Sequence, residues 1–238
     1  MNASEFKEEF NLRYNNALEG APGLDTYEIS AYLTIAQEQL VKRSYDADKD
    51  PTTSFELKEK SRRILNELVK DEKISLQVSS TRGLVDESKF YELNNSVMYI
   101  VLDTATILGK VVKVIPTTYD EFMMSYNNPF RKPTARKAWR LDLSRENSKT
   151  TVELISSENI SQYNIRYISY PSPIIVGDLN NSPDVAGMNL TINNHTAVAT
   201  CLLSEFSHRD IINIAVENAV LDYRESSLKG RVEMDSRI

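Results

Sequence analysis

The sequence predicts an α+β fold: an N-terminal helical unit of about three helices, a central and mainly antiparallel β region, one long C-terminal helix and a polar tail. Three observations carry this. Apolar residues recur at helical spacing through the first third of the chain. From Ile74 the period changes to two, with Ile74, Leu76 and Val78 alternating with Ser75 and Gln77. Between Ser204 and Arg224 the helical period returns. The expected divisions are residues 1–72 for the helical unit, 73–206 for the β region with a short helix near 118–126, 207–224 for the last helix, and 225–238 for a flexible docking tail.

In the first element Phe6, Phe10, Tyr14, Ala17 and Leu18 share a face, and Gly20 and Pro22 stop it. Asp25 then caps a second helix. Glu28 completes the capping box, Leu24 and Ile29 form the staple, and Ile29, Leu33, Ala36 and Leu40 form the stripe. The acidic loop from Asp46 to Pro51 has Asp-x-Asp-x-Asp spacing, but the glycine and closing glutamate of a calcium loop are missing. Thr53 and Glu56 open a third helix whose apolar face is Leu57, Ile64, Leu65, Leu68 and Val69.

Val97 to Leu102 and Val111 to Ile115 are apolar and β-branched, with a turn expected at Gly109-Lys110. The run from Thr117 to Asp120 caps a short helix carrying Phe122, Met123 and Tyr126, with the Met pair read as core filling in preference to an adaptable binding surface. Trp139 and Leu141 share a strand face. Val152, Leu154 and Ile155 follow after a polar turn at 146–149. Tyr163 to Tyr170 alternates and ends at Pro171 and Pro173. Residues 178–194 read as a long loop with a short strand at Met188 to Ile192.

The last helix is the clearest element. Ile212, Ala215, Val216, Ala219, Val220 and Tyr223 fall on one side, and Ile214 and Leu221 lie opposite. A helix with two apolar faces needs two partners, here expected to be its own sheet and another element or subunit. Beyond it Val232, Met234 and Ile238 alternate as in an extended strand, which suits a segment that adds to a partner's edge. The interface candidates are therefore Ile214, Leu221, Val232, Met234 and Ile238. One basic concentration stands out: Arg131, Lys132, Arg136, Lys137 and Arg140, interleaved with Phe130 and Trp139. It is read either as a solvated loop that leads into a strand or as a loop that touches phosphates or an acidic partner.

Composition narrows the function. At 41% hydrophobic and 26% charged, the 238 residues can bury a core without staples. The single Cys201 excludes an internal disulfide, is expected as a small buried hydrophobe, and fits a reducing compartment. With His195 and His208 the only histidines, neither a thiolate nor a histidine metal site is expected. The net charge of -6 argues against global attraction to nucleic acid, and no apolar run is long enough to span a bilayer. No glycine-rich phosphate loop, nucleophile elbow or zinc motif occurs, so no catalytic residue and no cofactor is expected.

Two stretches resemble a known family. Arg166-Tyr-Ile-Ser-Tyr-Pro-Ser-Pro-Ile174 followed by Leu203 to Ala219 resembles head-to-tail connector proteins of short-tailed phages. The opening from Phe6 to Glu38, with Ala21-Pro-Gly-Leu-Asp-Thr-Tyr-Glu-Ile-Ser30, resembles virion structural proteins of crAss-like phages. The resemblance implies a neck or tail ring protein without enzymatic activity. It implies a twelve-membered self-assembled ring around the DNA channel, with the portal and adjacent neck or tail proteins as partners. It further implies non-specific contact with packaged DNA, no membrane, assembly in the host cytoplasm and residence in the virion. The alternative reading is a β-rich carbohydrate- or peptide-binding module, or another virion protein, with a helical N-terminal unit.

Overall fold

The computed structural model describes residues 1–18, 20, 22–46, 59–75, 77–78, 83–85, 88–143, 149–185 and 187–235. The chain is α+β and forms two compact units. Residues 1–68 and 171–238 make one, and residues 69–170 make the other. This differs from a helical unit ending at 72 and a β region running to 206. The stretch after Pro171 returns to the helices instead of staying with the sheet.

The helical unit begins with α1 (Ala3–Ala17), capped by Asn2 and boxed by Glu5. Phe6, Phe10 and Tyr14 are buried along it. Helix α2 (Thr26–Asp46) opens on the expected box, with Asp25 and Glu28 exchanging backbone-to-carboxylate bonds of 3.0 and 2.7 Å. Its apolar face, Ile29, Leu33, Ala36, Leu40 and Val41, is buried. Helix α3 is Glu59–Leu65, continued by a 3-10 turn at Asn66–Leu68. Its expected start at Thr53, Glu56 and Leu57 lies outside the described residues, as do most of the acidic loop before it and Leu76.

The segment from Pro171 runs as extended, buried chain against α2. It is bound by side chains, not by a sheet. Ser30 Oγ accepts from Val176 N at 3.1 Å, and Thr34 Oγ accepts from Ile174 N at 3.1 Å. Thr26 donates both its backbone N–H and its hydroxyl to Asp184, at 2.8 and 2.6 Å. Gln37, one turn beyond Thr34, is fully buried, and its amide has no hydrogen-bond partner among the described residues. The strand expected at Met188 to Ile192 is reduced to a single bridge between Ile192 and His195. Asn189, Asn193 and Asn194 adopt positive φ there, which breaks an extended run.

Helix α5 spans Glu205–Asp235 and packs on α1 and α2. It does not end at Arg224. Gly230 costs a helix about 1 kcal/mol relative to alanine but does not stop this one. Residues 225–235 are therefore helical, not an extended tail.

The second unit is one eight-stranded sheet. Its strands are β1 (Val69–Ile74), β2 (Gln77–Val78), β3 (Lys89–Leu93), β4 (Val97–Ile107), β5 (Lys110–Pro116), β6 (Lys137–Asp142), β7 (Thr150–Ile155) and β8 (Ile160–Ser169). The order is β1-β8-β4-β5-β6-β7-β3-β2, antiparallel except for the parallel β5–β6 pair. The sheet is strongly curled. Tyr91 on β3 and Tyr163 on β8 pack at 5.2 Å between ring centroids with their planes tilted by 50°, although five strand steps separate them in the sheet. On a flat sheet those steps would span roughly 24 Å. The curled inner face holds one core of Ile74, Tyr91, Ala105, Val114, Leu154, Ile165 and their neighbours. Helix α4 (Tyr119–Ser125), capped by Thr118 and boxed by Glu121, covers part of the outer face through Phe122 against Trp139.

The inner face also contains a buried polar trio. Arg140 donates to Asp103 at 2.5 Å, and Tyr163 donates to the same carboxylate at 3.3 Å. Burial raises the Asp103 carboxyl above its usual range, while Arg140 and Tyr163 pull it back. Removing one charge of a buried pair is costly, although Arg140 keeps a second bond from Nε to Asp142 at 2.8 Å. Asp103→Ala should therefore lose about 3 kcal/mol in denaturant unfolding, while the paired replacement Asp103→Leu with Arg140→Met should recover most of it. A single variant as stable as the double variant would show that the pair is not coupled.

Candidate assembly surfaces

The basic segment lies between α4 and β6, and the structure divides it. Arg131, Lys132 and Arg136 are exposed. Lys137 folds back to donate from Nζ to the Arg131 carbonyl at 2.8 Å, closing the turn. Arg140 is not part of this loop. It follows Ala138 on the inner face of β6 and is only 8% exposed, because a strand sends alternate residues to the same side.

The surface beside these cations is apolar. Phe130 is 92% exposed, and Met123 and Met124 are 73% and 82% exposed. The expectation that the methionines fill the core is overturned. In a seven-residue helix Phe122 takes the one inward position, and its two successors turn away from it. Tyr119 and Tyr126 on the same helix are also exposed. The sequence signal was present, a Met-Met pair immediately before a basic run, but it was assigned to the wrong side.

In the helical unit Ile212, Ala215, Val216 and Ala219 are buried as expected, but so is Ile214. Helix α5 finds both of its partners, α1 and α2, within its own chain, so Ile214 is not available to a second subunit. Leu221 is 55% exposed. Val232 and Met234 lie on the last turns of α5, and Ile238 is outside the described residues.

A groove of about 660 Å³ lies where α1 passes the start of α5. Glu5, Glu8, Glu9, Leu12, Glu205 and His208 are among the residues that line it. His208 is buried under Phe6, with centroids 5.1 Å apart. Its Nε2–H donates to the Leu203 carbonyl at 3.0 Å, and Nδ1 accepts from the Met1 amine at 3.1 Å. His195 is exposed, its Nδ1–H donating to the Asn193 carbonyl. Cys201 is half-buried, and burial pushes its thiol up to about 11. Among the described residues no group of three or more His, Cys, Asp or Glu side chains is placed to hold a metal, and no helix is long and apolar enough to cross a membrane.

These exposed surfaces belong to a chain whose residues 1–230 match the model of the phage tail ring protein 3/4 family. The chain belongs to that family. It is 31% identical over 242 residues to ring protein 4/5 of Bacteroides phage crAss001, covering 100% of this chain and 99% of that protein. It is 33% identical over 243 residues to ring protein 3 of the same phage, covering 98% of this chain and 100% of that protein. The match spans both units, so both are parts of the ring-protein architecture.

The buried histidine gives this ring protein an acid sensitivity. Burial holds His208 below the ordinary histidine value, so the folded state favours the neutral ring. On acidification the unfolded chain takes up the proton first. The contribution is therefore complete above about pH 6.5 and is lost as pH falls below it, at no more than about 1.4 kcal/mol per pH unit. The melting temperature should fall between about pH 7 and pH 5, and His208→Gln should flatten that fall. Equal slopes for the two proteins would remove His208 from the account.

Proposed function

We propose that this chain is a structural virion protein that forms a ring in the phage neck or tail, joining the portal to the tail around the DNA channel. The carrying observation is the family match over residues 1–230. Similar identity to two differently named ring proteins of one phage supports a stack of related rings, in which this chain contacts both copies of itself and its neighbours. Twelve-fold symmetry is the proposed closure. The role is structural, without catalysis. Burial pushes the Tyr163 hydroxyl well above its ordinary value, and it donates to Asp103 beside Arg140 inside the sheet, where the three serve the core. A subunit charge of -6 suits a channel through which DNA slides without being gripped.

Purified protein should assemble into closed rings visible by negative stain. Light scattering should give about 325 kDa for twelve copies of the 27.1 kDa chain. A stable monomer at assembly concentrations in the presence of its neighbouring virion proteins would sink the reading.

The end of α5 is the proposed arm for the portal or the adjacent ring. It continues as helix to Asp235. Deleting residues 226–238 should leave the melting temperature of the subunit unchanged and abolish its capture by the preceding ring. Equal capture of truncated and full-length protein would exclude a docking role.

A further inference from the structure

The two oppositely charged surfaces lie on different units of the chain, and their chemistries match. The turn after α4 presents Arg131, Lys132 and Arg136, none of which has an ion pair among the described residues. Phe130, Met123 and Met124 stand beside them, more exposed than a solvated turn requires. The groove at the start of α5 presents Glu5, Glu8, Glu9 and Glu205, with Leu12 at its edge 59% exposed. Arg209 and the Met1 amine are the cationic groups in its lining, and Glu9 is also paired with Arg13 at 3.2 Å, so the groove stays net negative by about two charges, opposite in sign to the turn.

We propose that the basic, methionine-rich turn of one copy docks into the acidic groove of the next copy, and that this head-to-tail contact closes the ring. The inference rests on the ring reading above and names its interface. A contact through the turn on both sides would place six cations together, and a contact through the groove on both sides would place the glutamates together. Like charges facing each other suppress both isologous arrangements. Two different patches meeting give a heterologous contact, the kind that generates rings when the rotation closes. The flexible methionines and Phe130 supply the dry centre of such an interface, with the charges as its rim. Charge complementarity at the rim steers the encounter and fails as salt screens it.

Charge reversal with compensation tests this. One variant carries Arg131→Glu and Lys132→Glu, a second carries Glu8→Lys and Glu205→Lys, and a third carries all four. Each of the first two should melt with the parent protein but lose at least about tenfold in ring formation by light scattering. The four-fold variant should recover rings, and so should an equimolar mixture of the first two, in alternating order. Rings formed normally by either two-residue variant, or no recovery in the combined one, would overturn the contact. So would particles of the basic-turn variant that assemble normally but leak DNA, since the turn would then serve nucleic acid.

Carbodiimide coupling separates this proposal from the ring reading itself. In a mixture of isotope-labelled and unlabelled copies, an amide between Lys132 of one copy and Glu8 or Glu205 of another should be found by mass spectrometry. That link in open chains without closed rings keeps the contact and removes the ring. Closed rings with inter-copy links elsewhere keep the ring and remove the contact.

Discussion

The helical unit depends on a ladder of hydroxyls along α2. The chain leaves this unit at Leu68 and re-enters at Pro171, more than a hundred residues later. The returning segment is irregular and buried, and its backbone N–H groups need acceptors. Ser30 and Thr34 supply them one turn apart, and Thr26 anchors Asp184 at the end of the helix. Ser30 and Thr34 also donate to the carbonyls one turn back, Thr26 and Ser30, so each hydroxyl is used in both directions. Without this ladder the N–H groups of Ile174 and Val176 would lose their acceptors, while Ile175 between them is held by backbone bonds to Ala199. The unit is therefore closed by long-range polar contacts laid on an apolar helix face.

The inserted sheet solves a related problem differently. Its entry and exit strands are paired, with Val69 opposite Ile168, so the excursion begins and ends at one place. Between those points the sheet curls until Tyr91 reaches Tyr163. A curl this tight brings the inner face of β4, β6 and β8 together, and there the chain places an arginine, an aspartate and a tyrosine instead of three more apolar groups. Such a trio adds little net stability over an apolar core but is costly to leave half-formed. It penalises any register that separates its members.

Local features were legible and non-local ones were not. The Asp25 capping box and a cap near Thr118 could be read because all their atoms lie within four residues. The stripes of α1 and α2 followed from periodicity except at Ala17, while in α5 Tyr223 on the stripe is exposed and Ile214 opposite it is buried. Strand β1 was missed because Val69-Lys-Asp-Glu-Lys-Ile is charged where it faces solvent, and only pairing with β8 makes it a strand. Strand β3 carries its alternation in just Tyr91 and Leu93. The turn between β4 and β5 falls at Leu108-Gly109, both at positive φ, one residue before the expected Gly109-Lys110. On the candidate surface, the basic residues were visible as a cluster, yet only strand geometry could remove Arg140 from it. The acidic groove had no sequence signature, since Glu205 is about two hundred residues from Glu5, Glu8 and Glu9.

The sheet edges explain why assembly falls to side-chain surfaces. An outer strand offers unpaired backbone groups to any neighbour, and a subunit held at high local concentration risks open-ended pairing. Here one edge is β1, with Lys70, Asp71, Glu72 and Lys73 in succession, and the other is β2, only two residues long. Charge guards the first edge and shortness guards the second. Neither selects a partner. A ring needs a contact with one rotation and one stopping point, and strand addition fixes neither when the edge can slip in register. Two different side-chain patches of opposite charge can favour one such contact. Met123, Met124 and Phe130, on α4 and the turn beside it, are exposed apolar residues that meet charge instead of a backbone edge.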